Sequence, residues 1–132
     1  PNSVGDFVLQ MDIEGAEWMV LASASDEVLS RFRLMVIEFH SMERVFEPFG
    51  FGIISQLFRK LLKQFVIVHA HPNNWTGVID CGDYAVAPLM EYSFLRKDRV
   101  RSTLSPVRQF PHPLDRDNVP DRRSVALPRS MY

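Results

Sequence analysis

Asp6–Ile13 reads DFVLQMDI, and the Glu14–Leu21 stretch EGAEWMVL follows it without a break. Phe7, Val8, Leu9, Met11 and Ile13 make a short, nearly continuous apolar run, the pattern of a central strand buried on both faces. From Gly15 the period changes. Ala16, Met19, Val20, Val28, Leu29 and Phe32 fall at helical spacing, with Ser25 and Asp26 as a break and a new cap, so one broken helix or two short ones are predicted. A strand that runs straight into a helix is the opening of a crossover unit, and the rest of the chain repeats that alternation.

Leu34–Phe39 (LMVIEF) reads as a second buried strand. Phe51–Gln64 carries Ile53, Ile54, Leu57, Phe58, Leu61 and Leu62 on one face and Arg59, Lys60 and Lys63 opposite, an amphipathic helix whose basic last turn suits its dipole. Phe65–His69 (FVIVH) is a third strand and Glu91–Leu95 (EYSFL) a fourth, with a Gly- and Asn-containing stretch between them suited to a small hairpin. Strand, helix, strand, helix, strand implies parallel strands joined by crossovers; the shorter link to the fourth strand permits an antiparallel partner at the end of the sheet.

The 132 residues are 46% hydrophobic and 23% charged, an ordinary globular composition, and no apolar stretch approaches the roughly 20 residues of a membrane helix. We therefore expect a soluble, cytoplasmic protein with no membrane partner. No secretory leader pattern opens the chain, and Pro1 without a preceding Met suggests a trimmed or internal start. A lone Cys81 excludes an internal disulfide and a thiolate metal site, and reads as a packed thiol. Net charge of −1 argues against nucleic acid as a partner. The charges are nonetheless segregated: residues 1–95 hold six Lys/Arg against twelve Asp/Glu, whereas residues 96–132 hold nine against four, with five of the nine prolines. This divides the chain into an α/β part, 1–98, and a basic, Pro-rich C-terminal arm, 99–132. Phe110, Val119, Val125, Leu127 and Tyr132 offer the arm apolar anchors, so we expect it docked.

In an open parallel sheet, ligands bind at the carboxyl ends of the strands. Polar groups gather at three such ends here: Asp12, Glu14 and Glu17; Glu38 and His40; and His69, His71, Asn73 and Asn74. Carboxylates, imidazoles and amides on one rim can bind a divalent cation, position a hydroxyl or move a proton. Asp12 is the strongest candidate, because an acid within an apolar strand is costly unless something pairs with it. Glu14 and Glu17 are explained better by a first helical turn, where the dipole alone favours acids, than by a site. Glu38 and His40, two apart, point to one side of a strand and either share a ligand or bond each other. His69 reads as a core residue, and His71-Pro72-Asn73-Asn74 is explained by a turn as well as by a site. The sequence contains no Gly-rich G-x-G-x-x-G, P-loop, G-x-S-x-G or H-E-x-x-H pattern.

Met11–Leu21, MDIEGAEWMVL, resembles the fourth-strand motif of FkbM-type S-adenosylmethionine-dependent methyltransferases, in which K-[ILM]-D-[IV]-E-G-x-E recurs. The resemblance extends through VIEFH (Val36–His40), VHAHPNN (Val68–Asn74) and YSFLRKD (Tyr92–Asp98), and weakly into Phe110–Asp121. It implies the C-terminal half of a class I, Rossmann-like methyltransferase fold, mostly parallel, with the Glu91–Leu95 strand antiparallel between two neighbours. By the same resemblance Asp12, at the tip of the fourth strand, is the one position with an expected catalytic role. For the methyl transfer so implied, Asp12 or His40 is the expected base, Glu14 orients substrate or cofactor, and His71, Asn73 and Asn74 contact the acceptor; by analogy with catechol-type methyltransferases, Asp12, Glu38 and His40 form a divalent-cation site. The acceptor expected is a sugar or small metabolite methylated on oxygen. The cofactor's Gly-rich loop and ribose-binding acid would lie upstream of Pro1, leaving a sheet edge for a homo-oligomer or a second chain to complete. The alternative expectation is a non-catalytic interaction module using that edge; a metal-dependent hydrolase matches no motif present.

Overall fold

A computed structural model of the chain describes residues 6–101, 111–113 and 115–126. Its elements are β1 (Phe7–Met11), α1 (Glu17–Ser23), α2 (Asp26–Leu29), β2 (Phe32–Phe39), a 3-10 turn (Met42–Phe46), α3 (Pro48–Gln64), β3 (Phe65–Pro72), β4 (Ile79–Cys81), β5 (Tyr84–Val86), β6 (Met90–Arg96) and a second 3-10 turn (Lys97–Arg99). The architecture is α/β. The main sheet has the order β1-β2-β6-β3, with β1 parallel to β2 and β6 antiparallel to both β2 and β3; β4 and β5 form a separate hairpin. The antiparallel strand is therefore inside the sheet rather than at its end. β1, β2 and β3 share one direction, but only one of the three ladders is parallel.

Alternation along β2 buries Met35, Ile37 and Phe39 completely, and β6 answers with Met90, Tyr92 and Phe94 in register. Phe65 closes this layer from β3, and Leu21, Leu29, Leu57 and Leu61 cover it from the helices. Phe39 is the hub of the aromatic packing, 4.7 Å from the Trp18 ring, 5.4 Å from Phe58 and 6.0 Å from Tyr92. On α3 the apolar stripe is narrower than its sequence suggests: Ile54, Leu57 and Leu61 are buried, while Ile53 and Leu62 lie at its exposed margins.

β1 departs from expectation. It is an edge strand whose Phe7 and Val8 are about half exposed, because it pairs with β2 alone and its other edge has no partner among the described residues. Only Leu9 and Met11 pack on the core. Cys81 also differs: it sits exposed on the β4–β5 hairpin, beyond reach of the core.

Two short helices follow β1, the second of the two forms expected, with Ser25 accepting a bond from the Val28 N–H as a cap. Neither is long enough to be stable alone. Lys60 is not merely a solvated charge on α3: its Nζ donates to the carbonyls of Leu21, Ala22 and Ala24 at 2.5–2.9 Å, satisfying the end of α1. Lys97 does the same for α3 through Leu62 and Lys63. Arg96, at the end of β6, ties that strand to the start of β1, bonding Asp98 and Asp6 and reaching the Ser30 carbonyl. The Arg96 hydrogen bond holds the Asp98 carboxyl below its usual range.

The arm is docked where it is described. Val125 packs against the core, the Arg122 guanidinium stacks 4.4 Å over the Trp75 ring, and Asn74 bonds the backbone of Val119. Phe110, Leu127 and Tyr132 lie outside the described residues. No described helix is long and apolar enough to cross a membrane.

Two predictions follow from this packing. Helix propensity alone would favour Gly50→Ala by about 1 kcal/mol. A Cβ there would overlap the Arg44 carbonyl oxygen and stand 2.8 Å from the Arg44 Cβ. The clash with backbone wins, so chemical denaturation should show a loss of about 1–3 kcal/mol; a stabilised variant would contradict the close approach. The second concerns Tyr92, whose phenol burial pushes up to about 12. The unfolded phenol ionises near 10, so the folded state holds the proton longer, and this stabilisation is complete below pH 10 and lost as pH rises from about 10 to 12. Tyr92→Phe should flatten the fall of the urea midpoint over that window; an unchanged slope would place the hydroxyl in water.

Candidate functional site

β1 ends at Met11, and the chain turns sharply before α1, with Glu14 at φ 57° and Gly15 at φ 98°. Left-handed backbone is free for Gly15 but costs a residue with a Cβ about 1 kcal/mol or more, so the strain at Glu14 must be held by its surroundings. Glu17 holds it. This carboxylate is completely buried, and its Oε1 accepts the N–H of Ile13 at 2.9 Å and of Gly15 at 3.2 Å, closing the turn on the first residue of α1.

The second side of the site comes from β2. Trp18 on α1 donates its Nε1–H to the His40 carbonyl at 2.8 Å, fixing the strand end against the helix. The His40 ring then lies among three carboxylates: Nε2 is 3.4 Å from Glu14 Oε2 and 3.8 Å from Asp12 Oδ1, and Nδ1 is 3.2 Å from Glu17 Oε1. Nδ1 and Glu17 Oε2 are buried with no aligned hydrogen-bond partner among the described residues. The strained turn therefore aims Glu14 at an imidazole that Glu17 backs from the interior. Next to this rim a groove of about 450 Å³ opens between α1, the first 3-10 turn and α3, lined by Trp18, Met19, Ala22, Ser41, Arg44 and Ile53.

Asp12, Glu14 and His40 are thus together, as their positions in the sequence suggested. Asp12 is not embedded, however: its side chain is 51% exposed at the open strand tip, so desolvation gives it no special status. Glu38 and His40 diverge rather than share a ligand. β2 stops at Phe39, which frees His40 to turn toward β1, while Glu38 stays on the sheet and accepts from Asn73 Nδ2 at 2.6 Å. One ligating atom each from Asp12, Glu17 and His40 lies within 4.8 Å of the others, so the cation-sized group at this rim contains Glu17 in the place expected for Glu38.

Asn73 and Asn74, expected as acceptor contacts, are engaged within the chain. Both are buried, and both carboxamides are committed inside the chain: Asn73 to Glu38 and the Trp75 N–H, Asn74 to Val119 and Arg122 in the arm. His71 is similarly engaged, with Nε2 3.2 Å from the Arg116 carbonyl. His69 is no core residue; its Nε2 is 2.9 Å from Asp115 Oδ1. Sequence reasoning passed over Glu17 as a dipole-favoured acid and missed Asp115 altogether, since nothing near His69 in the sequence points so far down the chain.

Replacing Glu17 with Ala would strand the Ile13 and Gly15 N–H groups and open a cavity. Urea unfolding should register a loss of about 2–4 kcal/mol; a change below about 0.5 kcal/mol, typical of a surface site, would show that the carboxylate does not hold the turn.

Residues 4–65 match the family model of the methyltransferase FkbM domain, a span that contains Asp12, Glu14, Glu17 and His40 and stops at the start of β3. No curated protein and no solved structure matches the chain.

Proposed function

From the match of residues 4–65 to the methyltransferase FkbM domain, we propose that this chain carries the acceptor-activating rim of an S-adenosylmethionine-dependent O-methyltransferase acting on a hydroxyl of a sugar or small metabolite. The observation that carries the reading is His40 held among Asp12, Glu14 and Glu17, with Gly15 and Ser41, next in the chain to Glu14 and His40, lining an adjacent apolar groove.

Glu17 Oε1 stands 3.2 Å from Nδ1 on the buried side of the ring and leaves Nε2 facing the rim; a small rotation that aligned Nδ1–H with Oε1 would give the arrangement by which a carboxylate sets an imidazole to act as a base. Nε2 faces the rim, where it would take the proton of an acceptor hydroxyl and so raise the nucleophilicity of that oxygen. A proton arriving on Nε2 is met by the carboxylates of Glu14 and Asp12 at 3.4 and 3.8 Å, which favour the charge that develops there. The groove holds the apolar part of the acceptor. Asp12 and Glu14, both open to solvent, also fit a cationic sulfonium by charge, and these are the residues of this chain that would face it. When bound, S-adenosylmethionine supplies an electrophilic methyl group. The sequence has no G-x-G-x-x-G turn to hold the rest of that cofactor, and we assign the remainder of its pocket to strands added, from a second copy or another chain, at the edge of β1 that has no partner among the described residues.

That unpaired edge favours a second reading, a non-catalytic module that binds a protein partner by strand addition. Sedimentation followed by calorimetric titration with S-adenosylmethionine, with and without magnesium, separates the two. We expect the chain to sediment as a dimer or larger and to bind cofactor only when assembled. Binding absent in every form would leave the module. In an active assembly, His40→Gln should lower kcat by about 100-fold or more with cofactor affinity unchanged, and full kcat in that variant would end the assignment of His40 as the base.

A further inference from the structure

We propose a second site, outside the family-matched segment: a transition-metal site of the zinc class built from His69 and His71 of β3 and Asp115 of the arm, which fastens the arm to the sheet. The three residues each present a ligating atom within 4.8 Å of the others, and all are partly buried. Asp115 Oδ1 stands 2.9 Å from His69 Nε2 and Oδ2 3.5 Å from His71 Nδ1, so one carboxylate spans both imidazoles, whose rings stack within 11° of parallel at 6.4 Å.

The argument turns on a proton. His71 Nε2 is 3.2 Å from the Arg116 carbonyl, which can only accept, so Nε2 carries the hydrogen. In the neutral ring Nδ1 then presents a bare lone pair, buried, with no hydrogen-bond partner among the described residues, facing a carboxylate oxygen. Two acceptors meet with nothing between them. A cation resolves this, and the surroundings are those of a metal ligand: an imidazole whose other nitrogen donates to a backbone carbonyl has the orientation and basicity that ligating histidines are usually given. Ligands about 2.0–2.2 Å from a tetrahedral zinc are about 3.3 Å from one another, close to the 2.9 and 3.5 Å found. Two imidazoles and one carboxylate select zinc, cobalt, nickel or copper over magnesium or calcium, which prefer oxygen alone.

The backbone around Asp115 is prepared for the role. Its Oδ2 also accepts the His112 N–H at 2.8 Å and its own N–H bonds the His112 carbonyl at 2.9 Å, so the carboxylate is fixed by a local turn before it meets the sheet. The His112 ring stands edge-on to His69 at 6.1 Å, the nearest further imidazole to a position that three protein ligands leave open.

Zinc added to the untagged full-length chain in a calorimeter should bind at one ion per chain with micromolar or tighter affinity. Asp115→Asn and His69→Gln should each weaken it by roughly tenfold or more, with far-UV circular dichroism confirming that both fold, and His40→Gln, in the other cluster, should leave it unchanged. Cobalt should give d–d bands of nitrogen and oxygen ligation without thiolate charge transfer, separating this site from Cys81. Zinc should also slow tryptic cleavage at Arg116, Arg122 and Arg123 of the unmutated chain, a readout independent of how the variants fold. No zinc binding, undiminished binding in Asp115→Asn, loss of binding in His40→Gln, or zinc-independent cleavage of the arm would each overturn the proposal.

Discussion

The structure depends on β6 occupying the slot between β2 and β3. β2 and β3 run in one direction, and β6 returns between them, so that Met90, Tyr92 and Phe94 face Phe39, Ile37 and Met35 across one ladder and Pro72, Ala70 and Ile67 across the other. Each such side chain gains about 1.5–3 kcal/mol from burial, and none could be buried with either ladder missing. The same insertion sets the spacing of the chemistry. The tips of β2 and β3 point the same way but stand two strand spacings apart, about 10 Å. The carboxylate–imidazole cluster at β1 and β2 and the His69–His71–Asp115 cluster are consequently neighbours on one rim without sharing a ligand.

Tertiary bonds, rather than local preference, then finish each element. α1 ends on Lys60 of α3, α3 ends on Lys97 beyond β6, and β2 ends on Trp18 of α1. Glu38 and Glu91 are directly opposed on β2 and β6, a pairing that repels, and the amide of Asn73 offsets it by donating to Glu38. The loop after β3 is thereby tied to the sheet at Asn73 and to the arm at Asn74, which places Asp115 where the two histidines can meet it.

The pattern of apolar residues was enough to find all four strands of the main sheet, the amphipathic helix, the Ser25 cap and the small hairpin, because each is written in a local period. Whether a strand lies inside or at an edge is not local: DFVLQMDI has the composition of a buried strand, yet its exposure depends on what pairs with its far side. The rim residues were legible as a set because strand tips collect ligand-facing groups, and the assignment within the set was not. His40 reaches Asp12, Glu14 and Glu17 rather than Glu38 because β2 ends one residue before it. Asn73 and Asn74 look the same in sequence whether they meet a ligand or their own chain.

The orientation of the two histidines rests on a single extra residue. Counting from the buried Phe65 by twos reaches Ile67, His69 and His71, which would place both imidazoles inward among the aromatics. The register slips between Ile67 and His69, where two steps along β3 answer one along β6 from Phe94 to Ser93, and Val68 is the residue left over. Ala70 and Pro72 take the inward places instead. The segment from Phe65 to His71 thus works as a parity code. Insertions or deletions of one residue exchange its histidine and apolar faces wholesale, whereas changes of two preserve them, so a lineage could acquire or lose the entire polar face here in one mutational step without altering the identity of any residue that forms it.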